Sequence, residues 1–216
     1  VASANCALYC GAKVDFVDIN PSTYNLSVLN LEDKLIIAKK AGKLPKILVA
    51  VHMCGLPCDM KKIRLLSVKY GFKVIEDASH AFGAKYNNSK IGSCEYSDIT
   101  VFSFHPVKII TTGEGGIATT NNKALHTIMT KLRTHGISNK KNEMLKMPKH
   151  EIWNYQQLLL GFNYRMNDIE AALGSSQLKK IDQFLLKRNE IASLYEESFF
   201  SLPIETQLIN DNFKSS

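Results

Sequence analysis

The residues best suited to chemistry lie where short apolar runs end. Glu76-Asp77-Ala78-Ser79-His80 follows Val74 and Ile75 with two carboxylates, a hydroxyl and an imidazole. Ser103-Phe104-His105-Pro106-Val107-Lys108 closes a second run and places a lysine two residues beyond a turn-setting proline. Thr111-Thr112-Gly113-Glu114-Gly115-Gly116 then supplies hydroxyls and conformationally free glycines to one turn. Singly, each has an ordinary explanation: Asp77 caps a following helix, and Lys108 is a surface lysine. Taken in order, the set matches one cofactor. Pyridoxal phosphate needs a lysine to form a Schiff base, a carboxylate to keep its pyridine nitrogen protonated, and donors for its phosphate.

These groups need a scaffold that brings distant strand ends together. The apolar runs at 14–19, 47–51, 74–75 and 99–104 are short, β-branched and bounded by polar or glycine residues, as buried strands of a parallel sheet are. Helical patterns separate them. Asn30 caps a helix over 31–41 that ends at Gly42, and Asp59 caps one over 60–70 that ends at Gly71. A third helix spans 122–134 and closes at His135 and Gly136, followed by a lysine-rich loop over 138–150. A long helix over 167–199 is interrupted at Gly174, and the stretch 202–216 has nothing to pack on. The alternation predicts an α/β fold in which ligands gather at the carboxyl edge of the sheet.

Composition narrows the function classes. With 216 residues, 45% of them hydrophobic and 22% charged, the chain can bury a core. No run approaches the ~20 apolar residues of a membrane span. No basic leader opens the sequence, so a cytoplasmic setting is expected. Five scattered cysteines read as reduced thiols, and Cys54 and Cys58 lack the second pair that a zinc site needs, so no metal is expected. The net charge of +7 suits a phosphorylated small molecule or nucleic acid. The lysines are spread over helix faces without clustered aromatics, which leaves nucleic-acid binding as a remote alternative.

Three segments, EDASHAFGA, SFHPVKIITTGEGG and GFNYRMNDIEAALG, resemble the signature blocks of the DegT/DnrJ/EryC1/StrS sugar aminotransferases. ANCALYCGAKVDFVDINPSTYNL, VHMCGLPCDM and LRTHGI extend the likeness over residues 1 to about 195, toward the branch that serves pseudaminic acid biosynthesis. The resemblance implies an aspartate-aminotransferase-like large domain (PLP fold type I) with a mostly parallel sheet over 1–200. It would be incomplete at its N-terminus, with 201–216 starting a small C-terminal domain that the chain does not complete. It makes Lys108 the Schiff-base lysine, Asp77 the partner of the pyridine nitrogen and Ser103 a phosphate ligand. His80 stands where many relatives have glutamine beside the ring; otherwise it is a satisfied strand-end histidine. Asn163 reaches the cofactor phosphate of a partner subunit in a homodimer, or caps the long helix.

The family implies a UDP-linked 4-keto-6-deoxy sugar as acceptor and glutamate as donor. Dehydratases of the same fold carry histidine at the lysine position, so Lys108 argues for transamination. His105 and Pro106 shape the turn, Arg165 supports an interface or meets an anionic substrate, and Trp153 and Tyr155 line a substrate loop or form a buried aromatic pair. The family's glycine-threonine phosphate loop lies before the segment matching Val1. Its absence here keeps a catalytically incompetent fragment or decayed relative as the alternative, with apolar surface left uncovered.

Overall fold

The structure is a computed structural model that describes residues 1–145, 153–209 and 213–216. In chain order the elements are α1 (Ala2–Tyr9), α2 (Val28–Lys40), β1 (Ile47–Val51), α3 (Met60–Tyr70), β2 (Lys73–Asp77), β3 (Lys85–Tyr86), β4 (Ser89–Lys90), β5 (Ile99–Ser103) and β6 (Gly116–Thr119). They continue with α4 (Lys123–Leu132), β7 (Ile137–Ser138), β8 (Gln156–Gln157), α5 (Asp168–Leu178), α6 (Ile181–Phe199) and β9 (Phe213–Lys214).

The main sheet has the order β1-β2-β5-β6. β1, β2 and β5 run parallel, and β6 returns antiparallel beside β5. This is the mixed, mostly parallel α/β arrangement expected. β6 is the strand that the glycine-rich pattern concealed, since glycine argues against strand on propensity. Alternate residues face opposite sides of a strand. Val74 and Glu76 are therefore buried on one face of β2, and Ile75 and Asp77 lie half-buried on the other.

α3 forms as its sequence predicts: the Asp59 side chain accepts from the Lys62 N–H, and Gly71 ends it at φ 78°, where only glycine is unstrained. α2 starts earlier than expected. Its cap is Ser27, whose Oγ accepts the Asn30 N–H at 3.2 Å, so Asn30 lies inside the first turn. Both helices pack on the sheet through Leu31, Leu35, Met60, Ile63, Leu66, Ala50 and Val74. A second cluster, Ala78, Ala81, Ala84, Phe102, Phe104 and Ile110, holds the turns that follow β2 and β5.

Four expectations are corrected. Residues 14–19 form no strand: the Asp15 and Asp18 carboxylates accept from the next N–H, at 2.8 Å each, and so compete with ladder bonds. The long helical run breaks at Lys179 and Lys180, not at Gly174. Gly174 stays inside α5, and Thr112 approaches it too closely for a side chain. The stretch 202–216 does find partners: β9 pairs with β3, and Leu208 N–H donates to Ser22 O at 2.8 Å. Trp153 and Tyr155 are 74% and 62% exposed, which excludes a buried pair. Of the lysine-rich loop, 146–150, with Lys146 and Lys149, lies outside the described residues.

Candidate active site

Register decides which residues meet. Asp77 pairs with Val51 on one side and Val101 on the other, at the carboxyl ends of three parallel strands. Ser103 lies two residues beyond Val101, so its side chain emerges on the same face as Asp77. Past Asp77 the chain turns at once, held by Ala78 and Ala81, both at 0% exposure, and by Phe82 set edge-on to Phe102 and Phe104 at 5.1 and 5.5 Å. No helix follows for Asp77 to cap. Its Oδ1 instead accepts from Ser79 N at 3.2 Å and Ser79 Oγ at 2.6 Å, a turn closed by its own carboxylate.

Asp77 Oδ2 accepts from Ser3 Oγ at 2.6 Å. Burial pushes the Asp77 carboxyl pKa up, but the bonds from Ser3 and Ser79, with nearby His52, outweigh it and hold the group below its ordinary value. The carboxylate is thus kept ionised. His80 is shifted down by partial burial and by the charge of Lys108, against the pull of Asp77, so all three groups share one electrostatic neighbourhood.

Lys108 sits in a loop closed on itself: its N–H donates to His105 O at 2.9 Å, and Thr112 N donates to Phe104 O at 3.0 Å. Buried Ile109 and Ile110 anchor the next residues. Among the described residues no carboxylate pairs with its amine. Gly115, at φ 149°, lets the turn fold against Thr112 and Met166, where a side chain would collide.

Asp77 and Ser103 therefore share one face at the carboxyl edge of the sheet, and His80 lies within electrostatic reach of Asp77 and Lys108. Asn163 lies elsewhere, exposed and bridged to Thr134. It does not cap the long helix, because Asn167 does so in a reciprocal box with Glu170.

Sequence reading missed a buried pair beneath the site. His52, directly after β1, contacts Glu76 through Nε2 at 2.8 Å, and Cys58 N–H donates to its Nδ1 at 3.1 Å. Ser97 and Thr100 donate to Glu76 Oε1 at 2.5 and 2.9 Å. Burial raises the Glu76 pKa, yet these donors together leave it below its ordinary value. The strand-end rule applied to β1 would have pointed to His52, and His52 N–H also donates to Asp77 O at 3.1 Å. These groups suit pyridoxal phosphate: an ionised carboxylate for a ring nitrogen, an amine with no carboxylate partner among the described residues for a carbonyl carbon, and a hydroxyl for a phosphate. All five cysteines are free, and among the described residues no group of three or more His, Cys, Asp or Glu could hold a metal ion.

The likeness to known proteins is extensive. A UDP-4-amino-4,6-dideoxy-N-acetyl-beta-L-altrosamine transaminase of Campylobacter jejuni subsp. jejuni serotype O:2 is 41% identical over all of this chain and 53% of its own length. GDP-perosamine synthase of Escherichia coli O157:H7 is 36% identical over 94% of the chain and 50% of its own length. The solved structure of Helicobacter pylori PseC, an aminotransferase involved in the biosynthesis of pseudoaminic acid, superposes with a TM-score of 0.80 at 35% identity. It matches 94% of this chain and 50% of PseC. The chain spans about half the length of these relatives. The model of the DegT/DnrJ/EryC1/StrS aminotransferase family matches residues 1–215, and the chain belongs to that family.

Proposed function

We propose that the chain forms part of a pyridoxal-phosphate-dependent aminotransferase acting on a UDP-linked 4-keto-6-deoxy sugar, with glutamate as amino donor, in pseudaminic acid or related surface-glycan biosynthesis. The observation that carries this reading is the register that sets Asp77 and Ser103 on one face at the carboxyl edge of the sheet, with His80, in the turn after β2, within electrostatic reach of both Asp77 and Lys108. Bound there, pyridoxal phosphate would supply a ring able to take up the electrons released when a C–H bond next to nitrogen breaks. Asp77 would hold the proton on the pyridine nitrogen through a charge-assisted hydrogen bond. Lys108 Nζ would hold the cofactor through its carbonyl carbon and would move a proton at the reacting carbon, tasks suited to an amine that changes charge. Ser103 Oγ would donate to the phosphate, and His80 would help to hold the ring.

The working unit in this reading is a cytoplasmic homodimer in which Asn163 of one subunit reaches the partner's phosphate. The segment around Asn163 supports it, since Leu160 and Tyr164 are 90% and 72% exposed. Residues 1–200 belong to the cofactor-binding domain and 201–216 lead into a second domain. No described helix is long and apolar enough to cross a membrane.

The test is cofactor absorbance, fixed by borohydride and located by peptide mass. Attachment to Lys108, its loss in Lys108→Ala, and amine transfer to UDP-linked but not GDP-linked keto-sugars support the reading. A protein that takes up no cofactor and transfers no amine supports the non-catalytic alternative.

A further inference from the structure

Ser3, in the first turn of α1, and Asp77, at the end of β2, are 74 residues apart in sequence and joined by a hydrogen bond of 2.6 Å. An ionised carboxylate has about four acceptor positions, two on each oxygen. Ser79 fills both on Oδ1, with its hydroxyl at 2.6 Å and its N–H at 3.2 Å. Ser3 fills one on Oδ2. Among the described residues a single acceptor position is left open, on Oδ2 beside Ser3.

We propose that Ser3 is a positioning residue that locks the Asp77 carboxylate from the side opposite Ser79 and presents the open lone pair of Oδ2 to the pyridine N–H of the cofactor. The role rests on the cofactor assignment made above. It gives α1 a function: the helix buries no residue of its own, and its Ser3 hydroxyl reaches into the site. Other groups near this carboxylate are His52, after β1, and His80, in the following turn, where Lys108 and Arg188 act in turn on His80.

The experiment is a carbon-13 NMR titration of the Asp77 carboxyl in the cofactor-free chain. Ser3→Ala removes a donor to the charged form, so the Asp77 pKa should rise by about one unit, and Ser3→Thr should restore it. Ser3 is half-exposed and alanine favours helix, so the fold should tolerate the change. A double-mutant cycle of Ser3→Ala with Asp77→Asn in thermal unfolding gives a second readout, expected to be non-additive. With pyridoxal phosphate as the probe, Ser3→Ala should weaken binding several-fold. An unmoved Asp77 pKa, or strict additivity in the cycle, overturns the role. A wild-type chain that shows the expected titration but has no affinity for pyridoxal phosphate overturns the cofactor assignment and the pyridine partner, leaving the Ser3–Asp77 bond itself established.

Discussion

The sheet region, 47–119, and the helical region, 123–199, are both regular, yet they bury differently. α3 buries Met60, Ile63, Leu66, Ser67 and Tyr70 against the sheet. α4, α5 and α6 bury no residue at all. Ile169 and Leu194, apolar positions of the long helical run, are 84% and 60% exposed. Hydrophobic periodicity thus reports which face of a helix is apolar, not whether anything covers it. The difference falls along the candidate site as well. Asp77, His80, Ser103 and Lys108 rest on closed clusters, whereas Asn163 rides on the open half.

The contrast is sharpest in large-to-small substitutions. Ile63→Ala, at a position with 0% exposure, should cost about 2–5 kcal/mol in urea unfolding. Leu194→Ala should stay within about 0.5 kcal/mol. Equal costs would mean that the helical half packs as tightly as the sheet.

Next in size is the buried pair under the site. Glu76→Leu strands the His52 Nε2 and removes the acceptor of the Ser97 and Thr100 hydroxyls, and should cost about 3 kcal/mol at neutral pH. The wild-type pair also carries a pH signature. The folded pKa of Glu76 lies below its unfolded value, so its contribution is complete above about pH 4.5 and is lost as pH falls through the folded value. Urea midpoints between pH 6 and pH 3 should therefore fall more steeply in wild type than in Glu76→Gln. Parallel curves would contradict the assignment.

The seam between the regions is Gly174 of α5 against buried Thr112, where an added Cβ would lie 2.7 Å from Thr112 Cγ2. Gly174→Leu gains up to ~1 kcal/mol of helix propensity but overpacks the contact by about 1–3 kcal/mol. Net destabilisation, with hydrogen exchange quickening in the turn 111–116, is the expected result. A more stable variant would show that the two halves do not press on each other there.

A smaller effect than these belongs to a cap in the open half. Asn167→Ala removes the box with Glu170 and should cost about 1 kcal/mol, seen as faster exchange of the Glu170 amide while α3 amides stay protected. Loss of protection in α3 as well would join the regions into one cooperative unit.

What the sequence determined by itself is local. Asp59 and Gly71 bracket α3 because capping and left-handed termination depend on residues within a turn of each other. β1, β2 and β5 are legible as apolar runs, and the carboxyl-edge rule points to Asp77, Ser103 and Lys108 from the sequence alone. Local signals also misled. Two aspartates broke the expected strand at 14–19, and Gly174 looked like a helix break although its lack of a side chain serves a contact with a loop 62 residues earlier in the numbering. Only the tertiary structure placed Ser3 on Asp77, His52 on Glu76 and β9 beside β3. Those contacts join residues 74, 24 and more than a hundred positions apart. A distant pairing is set by sheet register and core packing acting together, and neither leaves a periodic trace in the chain.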